Sequence, residues 1–437
     1  MSKALPPARA KSAGNWGVRD RLTMGKREAV AGLDIGSSRV SCVIGEPDLE
    51  TSKLRILGGA SLPCRGLKGG VVINLQETAR VVAQAVEEAE AKARRVVSDV
   101  YVGVRGNHLQ SFNNRGAFNI ARTDKEITTE DVASVIGNAK AIPLSPDREI
   151  LHVVPQGYSL DRQKGVPHPV GMEGALLEVE VHIVTASSAH LNNVYKSVSQ
   201  AGFKVIEPVY SLLALGETLV TPEEKDLGSI LIDLGGQSIS LGVYCEGALR
   251  YSREVPIGAD FITRDLAVGL RTSITTAERI KLEHGIAHPS LLDGDPEIGF
   301  NGIDGRSQKL VKTSAMMGII LPRVEEIFTV VAQEIQNSSL AEMAAAGGAI
   351  VTGGGALMRG TIEAAEQILE MPVRLGMAHP DEVEGDEPWL SPTYATAVSL
   401  LQFPSRASWA SGNGRSAAGG GRPEWLRRML GVFEGIF

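Results

Sequence analysis

Three cysteines, Cys42, Cys64 and Cys245, are all this chain has, and they show no metal-ligand spacing. Their odd number argues against a closed disulfide framework, so they read as reduced core or near-core residues of a cytosolic protein. No apolar run approaches the ~18–20 residues that a membrane-spanning helix needs. An excess of positive charge is also missing: 44 Lys and Arg stand against 51 Asp and Glu, a net charge of -7, which argues against a general nucleic-acid binder. Residues 1–26 carry Lys, Arg, Pro and Gly without an apolar signal core, so 1–27 reads as a disordered leader, with a lipid-touching basic arm as the alternative. What remains is an ordinary globular composition, 43% hydrophobic and 22% charged, in 437 residues. That length holds roughly two to four domains.

Two stretches organise the chain. Val30-Ala-Gly-Leu-Asp-Ile-Gly-Ser-Ser-Arg-Val-Ser-Cys-Val-Ile-Gly45 is an apolar strand, an Asp, a tight turn and a second apolar strand. The same design returns at Gly228-Ser-Ile-Leu-Ile-Asp-Leu-Gly-Gly-Gln-Ser-Ile-Ser-Leu-Gly-Val243. Small residues in such a turn let phosphate oxygens approach backbone N–H groups. The Asp at the strand end suits a magnesium ion held through water. One copy is an ordinary tight turn; two copies at equivalent places supply one clamp from each side of a diphosphate. Gly353-Gly-Gly355 is a third turn, read as leading from a strand near 348–352 into a helix over 361–369, with N–H groups at a helix start. Glu278 and Lys281 fall at i and i+3 on one face of a helix over 275–283. They suit either the two sides of a nucleoside or a solvated ion pair.

The periodicity predicts strands over 29–35, 38–46 and 54–62, a helix over 75–95, and a strand at 100–104. Residues 108–182 change texture, with short strands, one helix (129–141) and Pro-rich turns, and read as an insertion. Helices follow over 189–201 and 212–220, then 259–270 after the second hairpin. Residues 286–312 read as loop-rich, and a long helix is predicted over 321–340. Residues 404–422 have the Ser/Gly/Arg composition of a flexible linker.

The last fifteen residues differ again. Trp425, Leu426, Met429, Leu430, Phe433, Ile436 and Phe437 recur at helical spacing, with Arg427 and Arg428 beside them and Pro423 at the start. The segment is too short to span a bilayer but suits an in-plane interfacial helix. A helix packed back on the core is the alternative.

Phosphate loop, connecting helix, second phosphate loop and adenosine loop is the order of the actin, Hsp70 and hexokinase ATPase superfamily. Within it the chain closely resembles the FtsA family of bacterial cell-division proteins, from about 28 to 403 and again at the tail. The stretches most specific to the family are Cys64-Arg-Gly-Leu-Lys-Gly-Gly-Val71, Leu151-His-Val-Val-Pro-Gln-Gly-Tyr158, Pro169-Val-Gly-Met-Glu-Gly174, Ala277-Glu-Arg-Ile-Lys-Leu-Glu-His-Gly285 and Tyr394-Ala-Thr-Ala-Val398.

The resemblance implies an α/β, actin-like two-domain fold with a duplicated ribonuclease-H-like βββαβαβα core. It implies subdomain 1A (28–107 with 183–225), an SHS2-like insertion 1C (108–182), 2A (226–285 with 344–403) and 2B (286–343). ATP would be bound by Gly36, Ser37, Ser38 and Arg39 from one side. Gly235, Gly236, Gln237 and Ser238 would hold it from the other. Glu278, Lys281, Gly353, Gly354 and Gly355 would face the nucleoside, and Asp34 and Asp233 a magnesium ion (Mg2+). Arg323 and Glu326 would contact the FtsZ C-terminal tail. The protein would form filaments of itself on the anionic cytoplasmic face of the inner membrane at the septum and recruit later division proteins.

Two departures from the pattern stand out. Gln237 takes a place usually held by Gly, where a positive φ would strain it. Near Tyr210-Ser211, where actin-like ATPases carry the acid or amide that positions water, there is none, and Glu207 falls three or four residues early. Slow or absent hydrolysis is therefore expected, and no catalytic residue is assigned. The rivals are an actin-fold small-molecule kinase, which needs a catalytic acid over a substrate cleft, and an Hsp70-like chaperone ATPase, which needs a peptide-binding domain after 403.

Overall fold

The computed structural model describes residues 29–47 and 53–410. The leader, the amphipathic tail and the linker beyond Ala410 lie outside the described residues.

Two sheets carry the same topology. In the first, Leu54–Pro63, Arg39–Pro47, Val30–Ile35, Asp99–Val104 and Lys204–Tyr210 lie side by side. In the second, the order is Ala248–Val255, Ile239–Cys245, Ser229–Leu234, Ala349–Thr352 and Val373–Leu375. Each therefore runs third, second, first, fourth, fifth, the first three strands antiparallel and the rest parallel. The central strands Ser229–Leu234 and Ile239–Cys245 are buried at every residue, which is why they read as unbroken apolar runs.

Helix Leu75–Ala93 starts where Asn74 accepts a hydrogen bond from the Glu77 N–H and ends at Arg94 in the left-handed region. Val81, Val82, Ala85, Val86 and Ala89 form its buried stripe against the first sheet. Helix Ser211–Leu219 is a wedge between the halves. Its Leu212 and Leu215 share one core with Tyr210, Leu231, Tyr244 and Ile350. Burying each Leu contributes about 1.5–3 kcal/mol, so this helix ties both sheets together.

The insertion is a separate four-stranded sheet, ordered Gln110–Asn119, Leu176–Ser187, Arg148–Leu160, Gln163–Val166, with helix Thr129–Lys140 packed on it. A bulge at Gln156 shifts the register between Pro155 and Gly157. The Gln156 amide is buried and donates to the Leu249 carbonyl of the second domain at 2.8 Å. Ser111 Oγ donates to the Ser252 carbonyl at 2.7 Å, and His182 Nε2 lies 2.8 Å from Ser252 Oγ. The insertion thus rests on an edge strand of the second domain.

Four sequence expectations need correction. Residues 286–312 contain a hairpin, Glu297–Asn301 with Gln308–Lys312. The following helix is Thr313–Asn337 and carries Pro322 inside it. Pro322 has no N–H to give the ladder, so the helix runs on through it with one hydrogen bond fewer. The helix Ala395–Ala410 runs through the first residues assigned to the linker. Finally, the end of the 344–403 stretch leaves the second domain. Val383–Glu384 adds to the first sheet beside Leu54, and Ala397, Val398 and Leu401 pack on Val43 and Ile56. The carbonyl of Ala397 lies 2.1 Å from where a Cβ on Gly32 would stand, so that approach requires glycine.

Candidate functional site

Asp34 and Asp233 hold equivalent places. Asp34 pairs across the strands with Ser41, and Ser41 with Ser61. Asp233 pairs with Ser240, and Ser240 with Glu254. Each Asp is the last residue but one of the first strand of its sheet, and the two turns that follow face each other across one interdomain cleft.

The turns meet directly. Ser38 Oγ donates to Asp260 Oδ2 at 2.7 Å. A Cβ on Gly236 would stand 1.9 Å from Ser38 Oγ, so the two loops already touch at that glycine. The Gly69 N–H donates to Gln237 Oε1 at 3.1 Å, and the Gly70 N–H to Ser37 Oγ at 2.9 Å. Gln237 is not among the positive-φ residues, so the strain its position suggested is not there. Its long amide instead reaches across the cleft. Asp260 is the second residue of the helix Ala259–Leu270, and its N–H donates to the Gly236 carbonyl at 2.7 Å.

Arg39 does not join this group. Its guanidinium donates to Ser61, at 2.9 Å to Oγ and 2.7 Å to the carbonyl, on the exposed side of the third strand. The Gly353–Gly355 turn lies beside the second loop: a Cβ on Gly353 would be 2.3 Å from Asp233 Oδ1, and its φ is +85°. It leads into a short 3-10 turn, Gly354–Leu357, and not into the helix start, which comes at Thr361. Lys281 is buried, and its Nζ lies 2.8 Å from Glu278 Oε2 and donates to Thr263 Oγ1 at 2.8 Å. Glu278 and Lys281 therefore do share one face; they pair directly, and Thr263 bonds to both.

Two residues that sequence reasoning missed dominate the electrostatics. Arg105 Nη1 lies 2.9 Å from Asp233 Oδ2, with 9% of the Arg and 1% of the Asp side chain exposed. Burial works to lower the Arg105 pKa, but Asp233, Asp34 and Glu254 together hold it above the ordinary arginine value. Burial pushes Asp34 up to about 6, against the pull of Arg105 and with the help of Asp233. Asp34 Oδ1 is buried without a hydrogen-bond partner. Glu254, whose Oε2 accepts from the Gly106 N–H at 2.9 Å, is pushed up by burial to about 7. Arg105 is placed in the site by the fold and not by any local sequence signal. It lies two residues past Gly103, the parallel neighbour of Asp34, and side chains just beyond adjacent parallel strand ends gather in one crevice.

A magnesium ion between Asp34 and Asp233 does not fit this arrangement. Magnesium keeps a near-octahedral shell with several waters, and the guanidinium of Arg105 stands against Asp233 where that shell would form. No group of three or more metal-binding side chains occurs among the described residues.

Glu254 sets a pH dependence. Between its ordinary value of 4.5 and about 7 the folded chain holds a proton that the unfolded chain has released, so stability falls as pH rises through that window. Glu254→Gln should remove the larger part of this fall, the remainder belonging to Asp34, which burial also pushes up to about 6, and should stabilise the protein at pH 8 by on the order of 3 kcal/mol. Urea denaturation at pH 5 and pH 8 measures it; an unchanged difference between the two pH values would assign the dependence elsewhere.

Tyr210 ends its strand directly before the helix Ser211–Leu219, and its N–H donates to His152 Nε2 at 2.9 Å. Neither it nor Ser211 is an acid.

Comparison with known proteins gives a consistent result. The sequence model of cell division protein FtsA matches residues 230–399, and that of the SHS2 domain inserted in FtsA matches 106–185. A cell division protein FtsA of Neisseria meningitidis serogroup B is 38% identical over 370 residues, covering 84% of this chain and 88% of the relative. That of Escherichia coli K12 is 32% identical over 386 residues, covering 86% and 90%. Among solved structures, a chain of a PilM–PilN type IV pilus biogenesis complex is similar at TM-score 0.61 and 17% identity, covering 86% of this chain and 98% of that one. MreB5 of Spiroplasma citri bound to ADP is similar at TM-score 0.52 and 12% identity, covering 88% and 99%. These likenesses give the actin-like fold.

Proposed function

The chain belongs to the FtsA family of cell-division proteins, and on that premise we propose that it is the membrane tether of the division ring. It polymerises on the cytoplasmic face of the inner membrane at the septum, holds the FtsZ C-terminal tail and recruits later division proteins. Its two loops bind adenine nucleotide, which acts as a conformational switch. The observation that carries this reading is the FtsA-type insertion docked across the two halves of a duplicated actin-like core. A scaffold role is also supported by Tyr210-Ser211, which offers no acid to position water. Anchoring is assigned to residues 423–437, whose apolar side chains recur at helical spacing beside Arg427 and Arg428.

The FtsZ tail docks at Arg323 and Glu326. Arg323 is held in place by Asp265, with Nε to Oδ2 at 2.6 Å and Nη2 to Oδ1 at 3.1 Å, and it also pairs with the half-exposed Glu326. Its guanidinium lies 5.7 Å from the Phe261 ring centre. An acidic, apolar peptide thus meets a positioned charge beside an aromatic face, in competition with Asp265. Arg323→Ala should weaken binding of an FtsZ tail peptide by about tenfold or more. Asp265→Asn, which frees the guanidinium, should tighten it. Fluorescence anisotropy with the labelled peptide reads both, and unaltered affinity in both variants would move the docking site elsewhere.

A further inference from the structure

We propose that Arg105 takes the place of the divalent cation in this cleft, so that a nucleotide phosphate entering between the loops is met by a resident guanidinium and needs no magnesium. The inference rests on the nucleotide reading above.

Position carries it first. Arg105 follows the strand Asp99–Val104, which lies parallel to Val30–Ile35 and brings Gly103 beside Asp34. From there the side chain crosses to the other domain, where Nη1 reaches Asp233 at 2.9 Å. The other guanidinium nitrogen, Nη2, lies 2.2 Å from where a Cβ on Gly235 would be. The guanidinium therefore lies against the bare backbone of the second phosphate loop, which only a glycine permits. A planar fork of N–H donors at that loop matches phosphate oxygens, for which arginine forms short, charge-assisted bonds.

Charge carries it second. Asp34, Asp233 and Glu254 all act on Arg105, so the cleft holds acids that demand a cation, and the chain supplies one covalently. One further acid, Asp260, and the neutral Ser38 and Gln237 line the rest of the gap. Ser38 bonds to Asp260, and Gln237 accepts from the Gly69 N–H. These contacts cross between the domains and are exchangeable for phosphate. A cation that cannot leave fixes the angle between the domains without metal, whereas a magnesium-dependent clasp opens when the metal is withdrawn.

The test uses the full chain and a fluorescent ATP analogue, mant-ATP, titrated in excess magnesium and in excess EDTA. The expected result is binding in both conditions, with affinities within about threefold. Loss of about tenfold or more in EDTA would overturn the substitution while leaving the nucleotide reading intact. Absence of binding in both conditions would overturn the nucleotide reading and the inference with it. Arg105→Ser, checked for folding by circular dichroism, should lose about tenfold or more in EDTA and recover part of it in magnesium, because both aspartates are freed. Should that variant not fold, Arg105→Lys serves instead: it keeps the charge but loses the fork, and is expected to weaken EDTA binding by several-fold. Unchanged EDTA affinity in a folded variant would overturn the proposal.

Discussion

Removing residues 423–437 releases the protein from anionic liposomes and leaves the core folded. The sequence spaces Trp425, Leu426, Met429, Leu430, Phe433, Ile436 and Phe437 as the apolar stripe of an amphipathic helix would be spaced, with Arg427 and Arg428 between them. Each buried methylene contributes about 0.8 kcal/mol of partitioning, and each basic residue near anionic lipid about 1 kcal/mol. Losing all of them lowers the partition coefficient by more than about a hundredfold. A filament displaying many tails loses more, since its grip on the membrane is multivalent. Co-sedimentation with vesicles containing anionic lipid measures the effect, alongside the thermal melt of the truncated chain. Equal co-sedimentation of the two chains would remove the anchor from the tail.

Arg105→Met costs on the order of 3–5 kcal/mol, because it leaves Asp34 and Asp233 buried without their cation. That changes the folded-to-unfolded ratio by more than about a hundredfold. A second substitution, Asp233→Asn, removes one stranded charge and should recover a large part of the loss. The cycle separates charge from packing: if Arg105 contributes only by filling space, the second change brings no recovery. Denaturant midpoints of the single and double variants decide it.

The division of labour between what was legible and what was not follows from range. The hairpins around Asp34 and Asp233 were readable because unbroken apolar runs, a turn of small residues and their repetition are local signals. So was the stripe Val81, Val82, Ala85, Val86 and Ala89. The hairpin Glu297–Asn301 with Gln308–Lys312 was hidden by its length, with Ile298 and Phe300 as its buried residues and glycines at its turn. Pro322 reads as a helix start because proline is favoured there. Yet the helix begins at Thr313 and carries Pro322 inside it. The return of Ala397, Val398 and Leu401 to the first domain depends on docking over more than three hundred residues of chain, for which no local pattern exists. Arg105 stayed invisible for the same reason. Nothing in Val104-Arg-Gly-Asn107 announces an aspartate that the fold brings to it from the other domain.

Glu278 and Lys281 show the converse. Their spacing left a nucleoside clamp and an ion pair equally open, and the helix does pair them, with Thr263 as the shared partner.

The central claim is that this chain links FtsZ to a membrane, and vesicle flotation tests it most directly. FtsZ, the full chain and anionic liposomes are mixed and centrifuged through a density step. FtsZ should rise with the vesicles when the full chain is present, and should stay at the bottom when the chain carries Arg323→Ala or lacks residues 423–437. FtsZ remaining at the bottom while the full chain itself floats would contradict the account.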